Sequence, residues 1–304
     1  YYHYFLLKVS TGITMKLPSY NELLEAGVHY GHLKRKWNPK MLPYIFMERK
    51  GIHIIDLNRT SERLEATGAA MKQIAKSGRK ILFVATKKQA KDIVANAAKE
   101  VNMPYVTERW LGGMMTNFQT IRKSIKKMNS IDAMLADGSL SSINKKEKLT
   151  LTRERNKLEK VLGGVANINR LPTAVFVIDI THEHIAIKEA KKLGMKTFAV
   201  VDTNSNPNDV DFPIPGNDDA SKSVKLICDY LVGMIKEGFT EKGVEKEAAD
   251  KAAADKAAAD KAAADKAAAD KAAAAEAKSA ERAAAKAAKA AAQEAPATDA
   301  PAAE

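Results

Sequence analysis

Cysteine is almost absent: Cys228 alone among 304 residues. That excludes an internal disulfide framework and any multi-cysteine zinc site, and it suits a reducing compartment. Long apolar runs are absent too, since none approaches the roughly 18–20 residues that a transmembrane helix needs. Acidic residues are in deficit, 37 against 49 Lys+Arg, for a net charge of +12 and a pI of about 9.5. The imbalance is uneven: residues 1–240 hold 38 basic against 24 acidic side chains, residues 241–304 hold 11 against 13. A folded region that basic is expected to meet a polyanion.

Catalytic signatures are also lacking. The first strand-to-helix turn, ILFVATKKQAKD, has no glycine, so its side chains would keep the backbone away from a buried pyrophosphate. No GxxxxGK[ST] or GxSxG occurs, no Cys–His pair suggests a nucleophile, and no carboxylate spacing implies glycoside hydrolysis. His29, His32, Asp179, His182, His184 and Asp202 could gather near strand ends. HxxH in a turn and HxH at a helix start are weak ligand spacings, however, and such residues equally cap helices. A nucleotide- or metal-binding α/β protein therefore stands as the alternative reading.

What is present is an alternation of strands and helices. Ser19 with Glu22 marks a capped helix start, followed by a polar turn to residue 33. YIFMERKGIHIIDL reads as a hairpin around Arg49-Lys50-Gly51. Residues 59–77 form an amphipathic helix stopped by Gly78. Strands follow at Ile81–Ala85, Tyr105–Thr107, Ala174–Ile180 and Thr197–Asp202. Helices are expected over Lys88–Lys99, Glu183–Leu193 and Asp219–Glu237, the last with Cys228 in its apolar stripe as a core residue. Such β-branched strands between helices predict a parallel sheet covered on both faces.

Between the second and third strands, Phe118, Ile121, Ile125, Met128 and Leu135 keep heptad-like spacing. Leu151, Leu158, Leu162 and Val165 do so after Asp137-Gly138-Ser139. This predicts an inserted antiparallel helical hairpin over about 116–163, with a narrow apolar stripe and a charge of +6. Three segments are thus expected: an upstream extension, 1–14, before the first methionine, Met15; an α/β domain over 15–240; and an Ala/Lys/Asp-rich tail over 241–304. The tail's five-residue AAADK period spirals its charges around the axis and leaves no apolar face.

Basic clusters recur at turns and helix ends. They are Lys34-Arg35-Lys36 with Trp37, Arg49-Lys50, Arg79-Lys80, Lys87-Lys88, Arg109-Trp110, Arg122-Lys123, Lys126-Lys127, Lys145-Lys146, and Arg153 with Arg155. Both tryptophans adjoin cations, as expected of rings that cover a sugar or base while neighbours meet phosphates. Without an RNP, KH or zinc-knuckle motif, the expected mode is phosphate and shape contact with structured RNA.

The blocks LLEAGVHYGHLKRKWNPKMLPYIFMERKGIHIIDL (23–57), ILFVATKKQA (81–90), RWLGGMMTNFQTI (109–121), NRLPTAVFVIDITHEHIAIKEAKKLGMKTFAVVDTNSNP (169–207) and DFPIPGNDDA (211–220) resemble the bacterial form of the small-subunit ribosomal protein S2 family. The resemblance runs from about Leu17 to Phe239. It implies a flavodoxin-like, Rossmann-type parallel sheet with helices on both faces and a protruding coiled coil, without enzymatic activity, cofactor, membrane or small-molecule substrate. It further implies a cytoplasmic component of the 30S subunit touching 16S rRNA and neighbouring ribosomal proteins, with S1 a candidate among them. Carried over by motif, the RNA-facing positions are Lys34, Arg35, Lys36, Trp37, Asn38, Arg109, Trp110, Thr116 and Asn117. Cations on the hairpin (Arg122, Lys123, Lys126, Lys127, Arg153, Arg155) join them, and Lys87 and Lys88 are added from the basic turn.

Overall fold

A computed structural model describes residues 15–137, 144–168 and 170–245. The expectations for the extension 1–14, for the hairpin turn beyond Asp137 and for the tail past residue 245 lie outside them. The chain divides into two units, 1–243 and 244–304, and the first of these builds the fold.

A short helix, α1 (Tyr20–Glu25), opens on a capping box in which Ser19 and Glu22 satisfy each other's backbone N–H groups. Strands β1 (Tyr30–Leu33), β2 (Ile45–Arg49) and β3 (Ile52–Ile55) then form an antiparallel sheet in the order β1-β3-β2. The expected hairpin is present, and Lys50 and Gly51 turn it with φ of 51° and 74°. Two successive positive φ angles match the right-handed twist of the strands they join. Strand β1 is an addition to the sequence reading: YGHL has no alternation of apolar residues, and its backbone is held by β3.

Helix α2 (Leu57–Lys76) is capped by Asp56 and ends before Gly78 at φ 73°. Five strands follow: β4 (Ile81–Val84), β5 (Tyr105–Val106), β6 (Ala174–Ile178), β7 (Lys196–Val201) and β8 (Phe212–Pro215). They pair in parallel in the order β5-β4-β6-β7-β8. Numbered within that sheet the order is 2-1-3-4-5, the flavodoxin-like arrangement. Strand β8 carries Pro213 and Pro215, which strand patterning penalises because proline donates no ladder hydrogen bond. It is accommodated as the outermost strand, paired only with β7. The remaining helices are α3 (Lys91–Glu100), α4 (Phe118–Ala136), α5 (Lys145–Leu162), α6 (His184–Lys192) and α7 (221–245).

The two-residue side-chain period of a strand divides the core into two layers. Phe83, Phe176, Phe198 and Ile214 face α2, α3 and α7, whereas Leu82, Val84, Val175, Val177 and Val201 face α6 and the bases of α4 and α5. Phe83 and Phe176 meet edge to face at 5.4 Å, worth about 0.5–1.5 kcal/mol beyond their burial. Cys228 lies fully buried in the first layer, and burial pushes its thiol up to about 12, as befits a core residue. In the second layer Ile121 near the start of α4 and Leu162 at the end of α5 share one cluster, so the two helices run antiparallel. The ion pairs Lys127–Glu154 and Arg155–Asp132 link them further out.

Gly31 fixes how closely the small sheet approaches the large one. A Cβ there would stand 2.6 Å from Thr203 Cγ2 and 2.9 Å from the His53 carbonyl oxygen. The neighbouring His32 N–H donates to Thr203 Oγ1 at 2.8 Å. Gly31→Ala is expected to force β1 outward at a cost of about 1–3 kcal/mol. Thermal unfolding with amide exchange at His32 measures it; an unchanged melting temperature would show that the approach has slack.

Candidate nucleic-acid interface

The segment after β1 is a 3₁₀ turn, Lys34–Lys36, with all three cationic side chains exposed. Lys34 pairs with Glu48 of β2 at 2.6 Å, an exposed contact of small energetic value. Trp37 is half-buried, its ring 5.1 Å from that of buried His53 and tilted by 45°. Asn38 is spent locally: its N–H donates to the Thr203 carbonyl, and its side chain caps the turn Pro39–Tyr44 by accepting from the Lys40 N–H. Arg35 and Lys36 thus point outward from a rigidly seated turn.

The RWLGGMMT segment is organised by a residue that sequence reasoning passed over. Glu189 of α6 is 8% exposed, yet it accepts five hydrogen bonds from this loop. The donors are Trp110 Nε1 at 3.1 Å, the N–H groups of Gly113 (2.7 Å), Met115 (3.0 Å) and Thr116 (3.0 Å), and the Thr116 hydroxyl (3.1 Å). Burial raises its pKa, but hydrogen bonds from Thr116, Trp110, Gly113 and Met115 more than offset this and hold it below the ordinary value. Trp110 is therefore a core side chain facing Glu189, not a ring presented to a base, and Thr116 anchors the loop. Arg109 and Asn117 remain exposed on either side. The retrospective signal is position: Glu189 falls on the buried face of α6 with Ala186, Ile187 and Ala190.

On the helical pair, Arg122, Lys123, Lys126 and Arg153 are exposed, and among the described residues none of them forms an ion pair. Lys127 and Arg155, read from sequence as equivalent to them, hold the two helices together instead. Lys127 pairs with Glu154, and Arg155 pairs with Asp132 at 2.6 Å and with Glu159.

Lys87 is diverted most completely. The crevice outside the carboxyl ends of β4 and β6, where the strand order reverses, is the usual ligand position of an open α/β sheet. Here it is filled by the chain's own side chains. Lys87 Nζ lies 2.8 Å from Asp218, 2.6 Å from Asp219 and 3.4 Å from Asp179, while Thr86 donates its N–H to buried Glu183 at 2.9 Å. Burial lowers the Lys87 pKa, and the hydrogen bonds and charges of these aspartates outweigh it and raise it. Asp218, fully buried beside Asp202 and Asp179, is pushed up to about 7. Lys88, one residue on, is exposed. Asp179 takes φ 66° and accepts from the N–H groups of Thr181 and His182, so it shapes the turn into α6. Nearby, His32 pairs with Asp202 at 2.9 Å and lies 3.5 Å from Asp219; its pKa is raised, chiefly by the Asp202 hydrogen bond against the opposing effect of burial. Of the six residues grouped as possible ligands, the structure brings His32 and Asp202 together and adds Asp218. His182 and His184 are exposed.

Among the described residues no helix is long and apolar enough to cross a membrane. Residues 23–238 match the family described as Ribosomal protein S2. Similar proteins include one named small ribosomal subunit protein uS2 from Cytophaga hutchinsonii, 60% identical over 227 residues, covering 75% of this chain and 89% of the relative. Another of that name, from Flavobacterium johnsoniae, is 61% identical over 221 residues, covering 73% and 87%. A third, from Phocaeicola vulgatus, is 59% identical over 228 residues, covering 75% and 82%.

Proposed function

Because the chain belongs to the ribosomal protein S2 family, we propose that it is a structural constituent of the small ribosomal subunit, working in translation by binding 16S rRNA and neighbouring ribosomal proteins. The family is structural rather than enzymatic, and the cytoplasmic ribosome is its station. The observation that carries the RNA reading is the separation of cations into two sets. Lys87, Lys127 and Arg155 are consumed by carboxylates. Arg35, Lys36, Lys88, Arg109, Arg122, Lys123, Lys126 and Arg153 are exposed, and among the described residues they form no ion pair. Cations left unpaired on a folded surface are what a phosphate backbone recruits, releasing counterions as it binds.

Protein neighbours have a different surface available. Leu42, Phe46 and Met47, on and before β2, are 64%, 68% and 48% exposed. Exposed apolar side chains of this size, close together in the chain, suit a protein partner, with S1 a candidate. The coiled-coil arm is proposed to extend the RNA-facing surface, and the tail beyond residue 240 to be dispensable for it.

Sedimentation of a lysate containing the tagged chain tests this reading. The protein should co-migrate with 30S and 70S particles and leave them as salt rises. Lys123→Glu with Lys126→Glu should leave the melting temperature unchanged and weaken association, with a shallower salt dependence, since each lost phosphate contact removes roughly 0.7–0.9 from the logarithmic slope. Lys126 with Lys127 would be a poorer pair, because Lys127 also secures the helices. A chain that stays at the top of the gradient in low salt contradicts the reading.

A further inference from the structure

A second basic surface lies at the amino ends of the parallel strands. Gly78, Arg79 and Lys80 before β4, Pro104 before β5 and Thr173 before β6 border a cleft of about 870 Å³. The last turn of α3 and the chain leaving α5 flank it. Four cations line the cleft, Arg79, Lys80, Lys99 and Arg170, all of them exposed. Among the described residues the lining contains no Asp or Glu, so these like charges have no counter-ion within it. Two of the four are seated. Lys80 Nζ donates to the Asn102 carbonyl oxygen at 2.6 Å, and Lys99 Nζ stands 5.6 Å from the centre of the Tyr105 ring. Neither the Arg79 nor the Arg170 guanidinium is engaged by a hydrogen bond or ion pair among the described residues. Tyr105 is the one aromatic side chain among the described lining residues. Besides Lys99, the Gly164 backbone presses on it, since a Cβ there would stand 2.8 Å from the ring. The cleft therefore presents charge rather than a stacking platform.

We propose that this amino-end cleft grips the phosphate backbone of RNA, as a contact separate from the Lys34–Lys36 turn and the helical arm. Arg79 and Arg170 meet phosphate oxygens through their planar N–H forks, with Lys80 and Lys99 as seated point charges beside them. Asn102 and Asn167, both exposed at the cleft, add amide donors of the kind that phosphate and sugar oxygens accept. With no open ring to stack on, the cleft follows backbone and shape rather than sequence. A free nucleotide fits less well for the same reason, because its base would find no ring. The Lys34–Lys36 turn is tied through His32 and Asn38 to Thr203, just past the carboxyl end of β7. The length of the strands, roughly 15–20 Å, therefore lies between the two surfaces, and the domain bridges two RNA segments. The crevice at the carboxyl ends is filled by Lys87 and its aspartates, whereas the amino-end cleft is open. RNA as the ligand rests on the ribosomal reading; the place of contact rests on the cleft alone.

Small subunits lacking this protein are bound by the purified full chain, and the affinity is measured across a range of salt. Arg79→Glu with Arg170→Glu should leave the melting temperature unchanged, since both side chains are exposed and neither has a partner among the described residues. Association should weaken, with a logarithmic salt slope shallower by roughly 1.4–1.8, the share of two phosphate contacts. An unchanged affinity and slope would overturn the cleft and leave the ribosomal reading standing, provided that the wild type binds. The position of the RNA is read by hydroxyl radicals from iron tethered to Asn167→Cys at the cleft or, on the arm, to Ser130→Cys. Cys228 takes no tether, being fully buried. Each variant should cut 16S rRNA, and at different nucleotides. Cleavage from Ser130→Cys alone would overturn the cleft but not the RNA reading, and cleavage from neither would contradict both. Weakened association without cleavage from Asn167→Cys would give the cleft to a protein of the subunit instead. Adenosine triphosphate is titrated into the free chain in a further arm. A rise in melting temperature that Arg79→Glu with Arg170→Glu abolishes would overturn RNA as the ligand.

Discussion

Replacing Glu189 by glutamine is expected to lower stability by about 3 kcal/mol, because hydrogen bonds to a charged acceptor contribute roughly 1.5–3 kcal/mol each and several are lost or weakened together. For a folded region of this size that corresponds to a fall of roughly 6–12 °C in melting temperature. The carboxylate receives three backbone N–H groups, an indole N–H and a hydroxyl. The amide keeps one oxygen and turns its own NH₂ toward donors, leaving buried N–H groups without acceptors. The sign of the pH dependence follows from the lowered pKa. A carboxyl group depressed in the folded state contributes fully above its unfolded value and loses that contribution as pH falls through the folded value. The difference between wild type and Glu189→Gln should therefore be full at neutral pH and shrink in acid below the ordinary glutamate value of 4.5. Calorimetry at pH 7.5 and in acid well below the ordinary value of 4.5 separates the cases; an equal difference at both would mean that the charge is not what organises the loop.

Lys87→Met is expected to cost about 3–5 kcal/mol, the usual consequence of removing one partner from a buried ion pair. The loss comes from what is left behind: Asp179 and Asp218, 7% and 0% exposed, facing Asp202 with no ammonium between them. A second substitution, Asp218→Asn, removes one of the stranded charges. The double variant should therefore be more stable than Lys87→Met alone, the non-additivity expected of contacting groups. Chemical denaturation of the four proteins in the cycle measures the coupling. A double variant no better than the single one would show that Lys87 acts through packing rather than charge.

Much of this architecture was legible because it rests on patterns of period two and 3.6. Strands β4 and β6 are uninterrupted apolar runs, β7 becomes one from Phe198 onward, and their buried residues alternate between the two core layers. Gly78 and Gly194 stop their helices with φ near +70°, as their positions predict. Strands β1 and β8 were illegible for opposite reasons. The first has too few apolar residues to show an alternation, and the second carries prolines that argue against a strand unless its place at the edge is known. The surface cations were legible by type but not by partner. Lys126 and Lys127 look alike in sequence, and only the facing helix, which brings Glu154 to Lys127, tells them apart. Trp110 was misread for the same reason: a tryptophan beside an arginine suggests a ligand-facing ring until a buried glutamate 79 residues away claims its N–H.

The two ends of the five-stranded sheet bear on the protein before it reaches any partner. At one end β8 presents Pro213 and Pro215. At the other β5 is two residues long, and the turn Gly163–Val165 lies so close that a Cβ on Gly164 would stand 2.2 Å from the Tyr105 carbonyl oxygen. Neither end offers a run of free N–H and C=O groups on which a second chain could add a strand, the usual route to edge-to-edge aggregation. A basic chain is thereby kept from polymerising through the edges of its five-stranded sheet.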